Sequence, residues 1–215
     1  MSDGSECEFC VEFELPEASL FCNLFSEYGV KSRVIHESKS YVAIAGLGAL
    51  TEGYVLLLPK KHYLSLSHLS SDEIAEFDDF KRDSLSLVNE FYHNLICFEH
   101  GAASNNRKGG SCLDHAHLHV CPCPTDLSLQ IDERFQSIPI DSIMGIHSFA
   151  KDKPYLYYEN QKSQKFVYIL PDKIESQYVR RLWATSLGLP DQWDWAISIG
   201  TQNILNTLKN LVNIK

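Results

Sequence analysis

Asp114-His115-Ala116-His117-Leu118-His119-Val120-Cys121-Pro122 decides the fold of this 215-residue chain. Three histidines alternate with small or apolar residues. In an extended strand, successive side chains point to opposite faces. His115, His117 and His119 are therefore predicted on one face, and Ala116, Leu118 and Val120 on the other. The apolar face can bury against a core. The imidazole face needs polar partners, a metal or a ligand, because an unpaired buried polar group is costly. Pro122 has no N–H to donate and suits the end of the strand.

Aligned imidazoles support two chemistries. A His-x-His pair on a strand can present ligands to zinc. A neutral imidazole, with an ordinary pKa of about 6.5, is also a competent nucleophile near neutral pH. Its neighbours can then orient it, bind an anion or protonate a leaving group.

The surrounding chain supplies a frame for such a strand. Residues 33–37 and 41–45 read as a hairpin-like pair, and the apolar run from Val55 to Leu58 as a strand buried on both faces. Ser70 and Glu73 have capping-box spacing. Ile74, Phe77, Leu85, Val88, Phe91 and Tyr92 then recur at helical spacing, predicting a helix to about residue 93 that covers one face of the sheet. Residues 95–99 form a further strand, ended by His100-Gly101. Beyond Pro124 we expect a short helix within 126–135, strands at 155–158 and 165–170, and helices at 174–187 and 201–213. This order predicts an α+β fold built on an antiparallel sheet.

The His-apolar-His-apolar-His run resembles the signature of the histidine-triad family. Gly53-Tyr54-Val55-Leu56-Leu57-Leu58-Pro59-Lys60-Lys61-His62 is similar to that family's strand ending in a Pro-Lys-x-His turn. Phe98-Glu99-His100-Gly101 stands where the family has a strand ending in Asn/Gln-x-Gly, and Gly109-Gly110-Ser111-Cys112 where it has a phosphate-binding turn. The four pieces occur in order between about residues 33 and 124. The resemblance implies residues 1–125 as a histidine-triad domain, with 126–215 a C-terminal extension packed on it. It also implies a homodimer acting on a small nucleotide.

By motif position, His117 is the nucleophile toward an α-phosphorus, His119 contacts the phosphate and aids the leaving group, and His115 orients His117 or holds a metal. Substrate contacts would come from Glu99, His100, Gly110, Ser111 and Cys112. Glu99 and Cys112 depart from the family pattern: a carboxylate repels phosphate, and a thiol replaces a small polar residue. Retention of histidine at position 119 leans toward hydrolysis, with phosphorolysis or nucleotidyl transfer left open. Some family members complete an N-terminal Cys-x-x-Cys with two histidines, which here would be Cys7, Cys10, His62 and His115 around a structural zinc. No cofactor is required for the chemical step. The rival readings are a zinc hydrolase using all three triad histidines as ligands, and a non-catalytic nucleotide-binding protein.

The rest of the composition narrows the partners. A net charge of −9 and the absence of any run of five basic residues argue against a nucleic-acid duplex. Arg107 and Lys108 add positive charge beside the Gly-rich turn. For the tail after Pro124, packing as an extra layer against the sheet is the favoured role, the alternative being that Gln177, Arg180 or Arg181 reaches the ligand. Seven scattered cysteines and an acidic, polar start suggest a reduced, cytoplasmic setting. No apolar stretch approaches the roughly 20 residues of a membrane span.

Overall fold

The apolar runs become the inner strands of one antiparallel sheet. The computed structural model describes residues 7–111 and 113–212. Among these, the strands are β1 (Val34–Glu37), β2 (Tyr41–Ala45), β3 (Val55–Pro59), β4 (Leu95–Gly101), β5 (Leu118–Pro122), β6 (Ser137–Ile140), β7 (Tyr155–Glu159) and β8 (Lys165–Ile169). The helices are α1 (Glu8–Glu14), α2 (Leu20–Phe25), α3 (Ser71–Asn89), α4 (Ser128–Asp132), α5 (Ile146–Ala150), α6 (Tyr178–Ser186) and α7 (Thr201–Val212). The strand order is β1-β2-β3-β5-β4-β7-β8-β6, and every pairing is antiparallel.

Register sorts the side chains of the middle strands onto two faces. His119 lies opposite Leu56 on β3 and Phe98 on β4. Leu56, Phe98, Ile96 and Cys121 belong to a core shared with Trp183 of α6 and with Phe9 of α1. Val55, Leu57, Leu118, Val120 and Ala116 belong to the opposite core, which Ile74, Phe77, Phe80 and Val88 of α3 cover. The long helix thus seals the apolar side of the triad strand and leaves the imidazole side for the site.

The α3 capping box forms as its spacing predicts. Ser70 Oγ accepts from the Glu73 N–H at 3.2 Å, and Glu73 Oε2 accepts from the Ser70 N–H at 2.8 Å. Such a cap contributes about 1 kcal/mol. The helix ends at Asn89, short of the predicted residue 93.

Residues 155–169 do more than pack. β7 pairs with β4 from Cys97↔Glu159 to Gly101↔Tyr155, so the C-terminal segment continues the sheet beside the strand that carries His100. The triad stretch differs from the predicted strand at its start. Its ladder begins at Leu118, which pairs with Leu57, and β3 ends at Pro59. The Ala116 N–H turns instead to the Tyr63 carbonyl at 2.6 Å. His115 and His117 therefore stand just ahead of the ladder.

Candidate active site and metal cluster

His115, His117 and His119 are all buried, and each has a different hydrogen-bond environment. His117 Nδ1 lies 2.6 Å from the carbonyl oxygen of His115. A carbonyl only accepts, so Nδ1 carries the proton and Nε2 carries the lone pair. Burial holds the His117 pKa below its ordinary value, with the His115 carbonyl opposing the shift. This imidazole is neutral at neutral pH and has one free basic nitrogen, as a nucleophile or a general base requires.

His119 is stacked on Phe98 at a centroid distance of 4.2 Å, and its Nδ1 lies 2.7 Å from the Tyr54 hydroxyl. Burial, with smaller contributions from the charges of His117, Arg180 and His100, keeps it well below the usual imidazole range. The His117 and His119 rings are 4.8 Å apart.

The first triad histidine turns the other way. His115 Nε2 donates to the Pro59 carbonyl at 2.8 Å, which leaves the Nδ1 lone pair facing Cys7 Sγ at 3.4 Å and Cys10 Sγ at 3.6 Å. Cys10 Sγ is also 3.4 Å from His62 Nδ1. The ligand atoms of Cys7, Cys10, His62 and His115 all lie within 4.8 Å of one another, so this cluster could hold a metal ion. The donors fit one: a tetrahedral zinc with its usual bond lengths places sulfur and nitrogen ligands about 3.5 Å apart. Burial and the neighbouring Cys7 push the Cys10 thiol up to about 12, so its thiolate form would need a cation beside it. The Pro59 carbonyl fixes the ring of His115, as outer partners of metal-bound histidines do.

A cavity with about 720 Å³ of non-atom space, open solvent included, has His117 and His119 in its wall. Helix α1 closes one side through Phe9, whose ring is 5.8 Å from that of His117. His100, Gly110 and Ser111, three of the expected substrate contacts, line the cavity. Burial drives the His100 pKa down to about 3, with the charge of His117 adding to the shift.

The structure separates Glu99 from this group. Strand alternation sends its carboxylate to the opposite face, where it accepts from the Leu66 N–H at 2.9 Å and from the Tyr155 hydroxyl. Glu99 therefore does not contact a ligand in the cavity, contrary to its predicted role. Cys112 lies outside the described residues. In the turn before the triad, two backbone N–H groups already have partners. The Ser111 N–H donates to the Lys108 carbonyl at 2.9 Å, and the Gly109 N–H to the Asp172 carbonyl at 3.4 Å. Arg107 is paired with Asp172 and Lys108 with Asp114, each at 2.7 Å, so the two cations are already neutralised.

Residues that the motifs did not single out complete the wall. Tyr54 holds His119, and Arg33 is locked to Glu12 by two hydrogen bonds of 2.8 and 2.6 Å. From the C-terminal extension, Gln177 and Arg180 line the cavity, whereas Arg181 stacks over Trp193 at 3.3 Å. The favoured packing role for this segment is thus incomplete.

An antiparallel sheet that presents alternating histidines to a cavity is the arrangement of a histidine-triad protein, and the chain has this fold. Within that class it belongs to the family described as "Protein similar to CwfJ C-terminal", whose model matches residues 2–136. An uncharacterized HIT-like protein of Methanocaldococcus jannaschii is 22% identical over 106 residues, covering 48% of this chain and 77% of the relative. CWF19-like protein 1 of Xenopus laevis is 27% identical over 169 residues, covering 72% of this chain but 29% of the relative. The human protein of the same name is 24% identical, with 30% of its length covered. The chain thus spans less than a third of these CWF19-like relatives. A hypothetical histidine triad nucleotide-binding protein of Sulfolobus tokodaii superposes with a TM-score of 0.42 at 19% identity, covering 56% of this chain and 71% of that structure. Among the described residues, no helix is long and apolar enough to cross a membrane.

Proposed function

We propose that this protein cleaves a nucleoside phosphate conjugate at its α-phosphate through a covalent nucleotidyl-His117 intermediate. The observation that carries the reading is the His117 Nδ1–H bond to the His115 carbonyl, which leaves Nε2 as the basic nitrogen of a cavity-lining imidazole. The Nε2 lone pair attacks the α-phosphorus, and the bond from phosphorus to the leaving group breaks with its electron pair. The leaving group takes a proton from water, with the neutral His119 placed to donate a hydrogen bond to the phosphate. A water molecule then attacks the phosphorus and loses a proton. The bond from phosphorus to Nε2 breaks with its electron pair returning to Nε2, the proton passes to solvent, and the nucleoside monophosphate leaves with His117 restored.

Two observations favour this over the rival readings. The His115 Nδ1 faces Cys7, Cys10 and His62 rather than His117 and His119, so the three triad imidazoles do not act as one ligand set. Glu99 is also turned out of the cavity, which removes a carboxylate that would repel phosphate. The Cys7, Cys10, His62 and His115 cluster suits zinc in a structural role, tying helix α1 to the triad segment. Incubation of wild type and His117→Ala with adenosine phosphoramidate and dinucleoside polyphosphates tests the reading. Turnover should require His117. Undiminished turnover in His117→Ala would refute it.

A further inference from the structure

We infer that Arg180 is the cation that binds the ligand's phosphate, its Nη1 group donating to a non-bridging oxygen. This deepens the proposed nucleotide reading and rests on it. Arg180 is 2% exposed and lines the same cavity as His117 and His119. A guanidinium remains charged under all ordinary conditions, so this is a buried positive charge.

Its protein partners are neutral. Nε donates to Gln177 Oε1 at 3.2 Å and to the Trp193 carbonyl at 3.0 Å, and Nη2 donates to the Gly48 carbonyl at 2.8 Å. Nη1 is buried with no hydrogen-bond partner. The guanidinium also lies over the Tyr54 ring at 5.5 Å and the Trp183 ring at 5.8 Å. Among the described residues no carboxylate forms an ion pair with it, in contrast to Arg33, Arg107 and Lys108. Stacking and carbonyl contacts position the fork without neutralising it. A buried unpaired charge with a free donor is costly unless something anionic completes it.

The alternatives for anion binding in this cavity are weak. Arg33 is committed to Glu12, and the Ser111 N–H to Lys108. Burial keeps His100 and His119 neutral, so they can donate to an anion but do not balance its charge. The Gln177 backbone explains how the arginine is held. Gln177 adopts a left-handed φ of 58° at the start of α6, and its N–H donates to the Gly110 carbonyl at 3.2 Å. The Gly-rich turn and the arginine are thereby fixed to each other across the cavity wall.

Calorimetric titration of the full chain with AMP, adenosine and inorganic phosphate tests this. Arg180→Met should weaken AMP roughly 10- to 100-fold, the range for losing a charged hydrogen bond, while adenosine changes less than about twofold. Arg180→Lys keeps the charge and should lose less AMP affinity than Arg180→Met. It also decides the matter if the methionine variant fails to fold. Equal losses for AMP and adenosine in the variants, or AMP affinity unchanged, would overturn the assignment while leaving nucleotide binding intact. Wild type that binds inorganic phosphate through Arg180 but neither nucleotide nor nucleoside would sink the nucleotide reading and keep the arginine's role. Wild type that binds none of the three overturns both.

Discussion

Replacing Glu99 with glutamine separates the two faces of the sheet by experiment. Burial raises the Glu99 pKa from 4.5 to about 8, against the opposing hydrogen bonds from Tyr155 and the Leu66 N–H. The folded protein therefore holds this proton more tightly than the unfolded chain does. By linkage, the stabilisation is fully present below about pH 4.5 and is lost as pH rises toward about 8. The loss is at most about 1.4 kcal/mol per pH unit, so up to about 4 kcal/mol between about pH 5 and about pH 8. Glu99→Gln keeps an acceptor for Leu66 and removes the titration. Urea denaturation of both proteins across that range should show the variant gaining on wild type as pH rises, by at least about 1 kcal/mol. Because the carboxylate faces Tyr155 rather than the cavity, AMP affinity should stay within about twofold. A flat stability difference would refute the buried titration. A large rise in AMP affinity would put Glu99 back in the site.

The remaining expectations concern the triad's supports. Tyr54→Phe removes the hydroxyl that lies 2.7 Å from His119 Nδ1, and a lost buried hydrogen bond costs about 1–3 kcal/mol, so turnover should fall by at least about fivefold. Retained turnover, in steady-state assays at matched folding, would show that this bond does not orient His119. Metal analysis of purified protein should find about one zinc per chain, lost in Cys10→Ala. Chelation should then raise proteolytic cleavage around residues 8–14, because a seven-residue helix is not stable by itself. Absence of bound metal together with a protease-resistant α1 would contradict the structural role given to the cluster.

Much of the site was legible because it rests on short-range periodicity. The period of two placed His117 and His119 opposite Leu118 and Val120, and the capping box placed the start of α3. The same rule applied to β4 puts Glu99 and His100 on opposite faces, so a motif alignment that gives both of them ligand contacts conflicts with strand geometry. Other features depend on distant pairings that no local pattern encodes. Cys7 meets His115 across 108 positions, and Arg180 meets the Gly48 carbonyl across 132. Helix α1 has no capping side chain and is only seven residues long, so it gives little periodic signal. Its position over the cavity follows from the Cys/His cluster and from Phe9 packing against His115 and His117. Similarly, the role of residues 155–169 follows from the pairing of β7 with β4, which alternation alone does not fix.

The covalent step is tested most directly by quenching wild type during turnover of adenosine phosphoramidate and mapping the modified peptide by mass spectrometry. The account predicts an adenylyl group on His117, absent from His117→Ala, that decays as AMP is released. Rapid turnover with no adduct at this residue, or an adduct on another side chain, would contradict it.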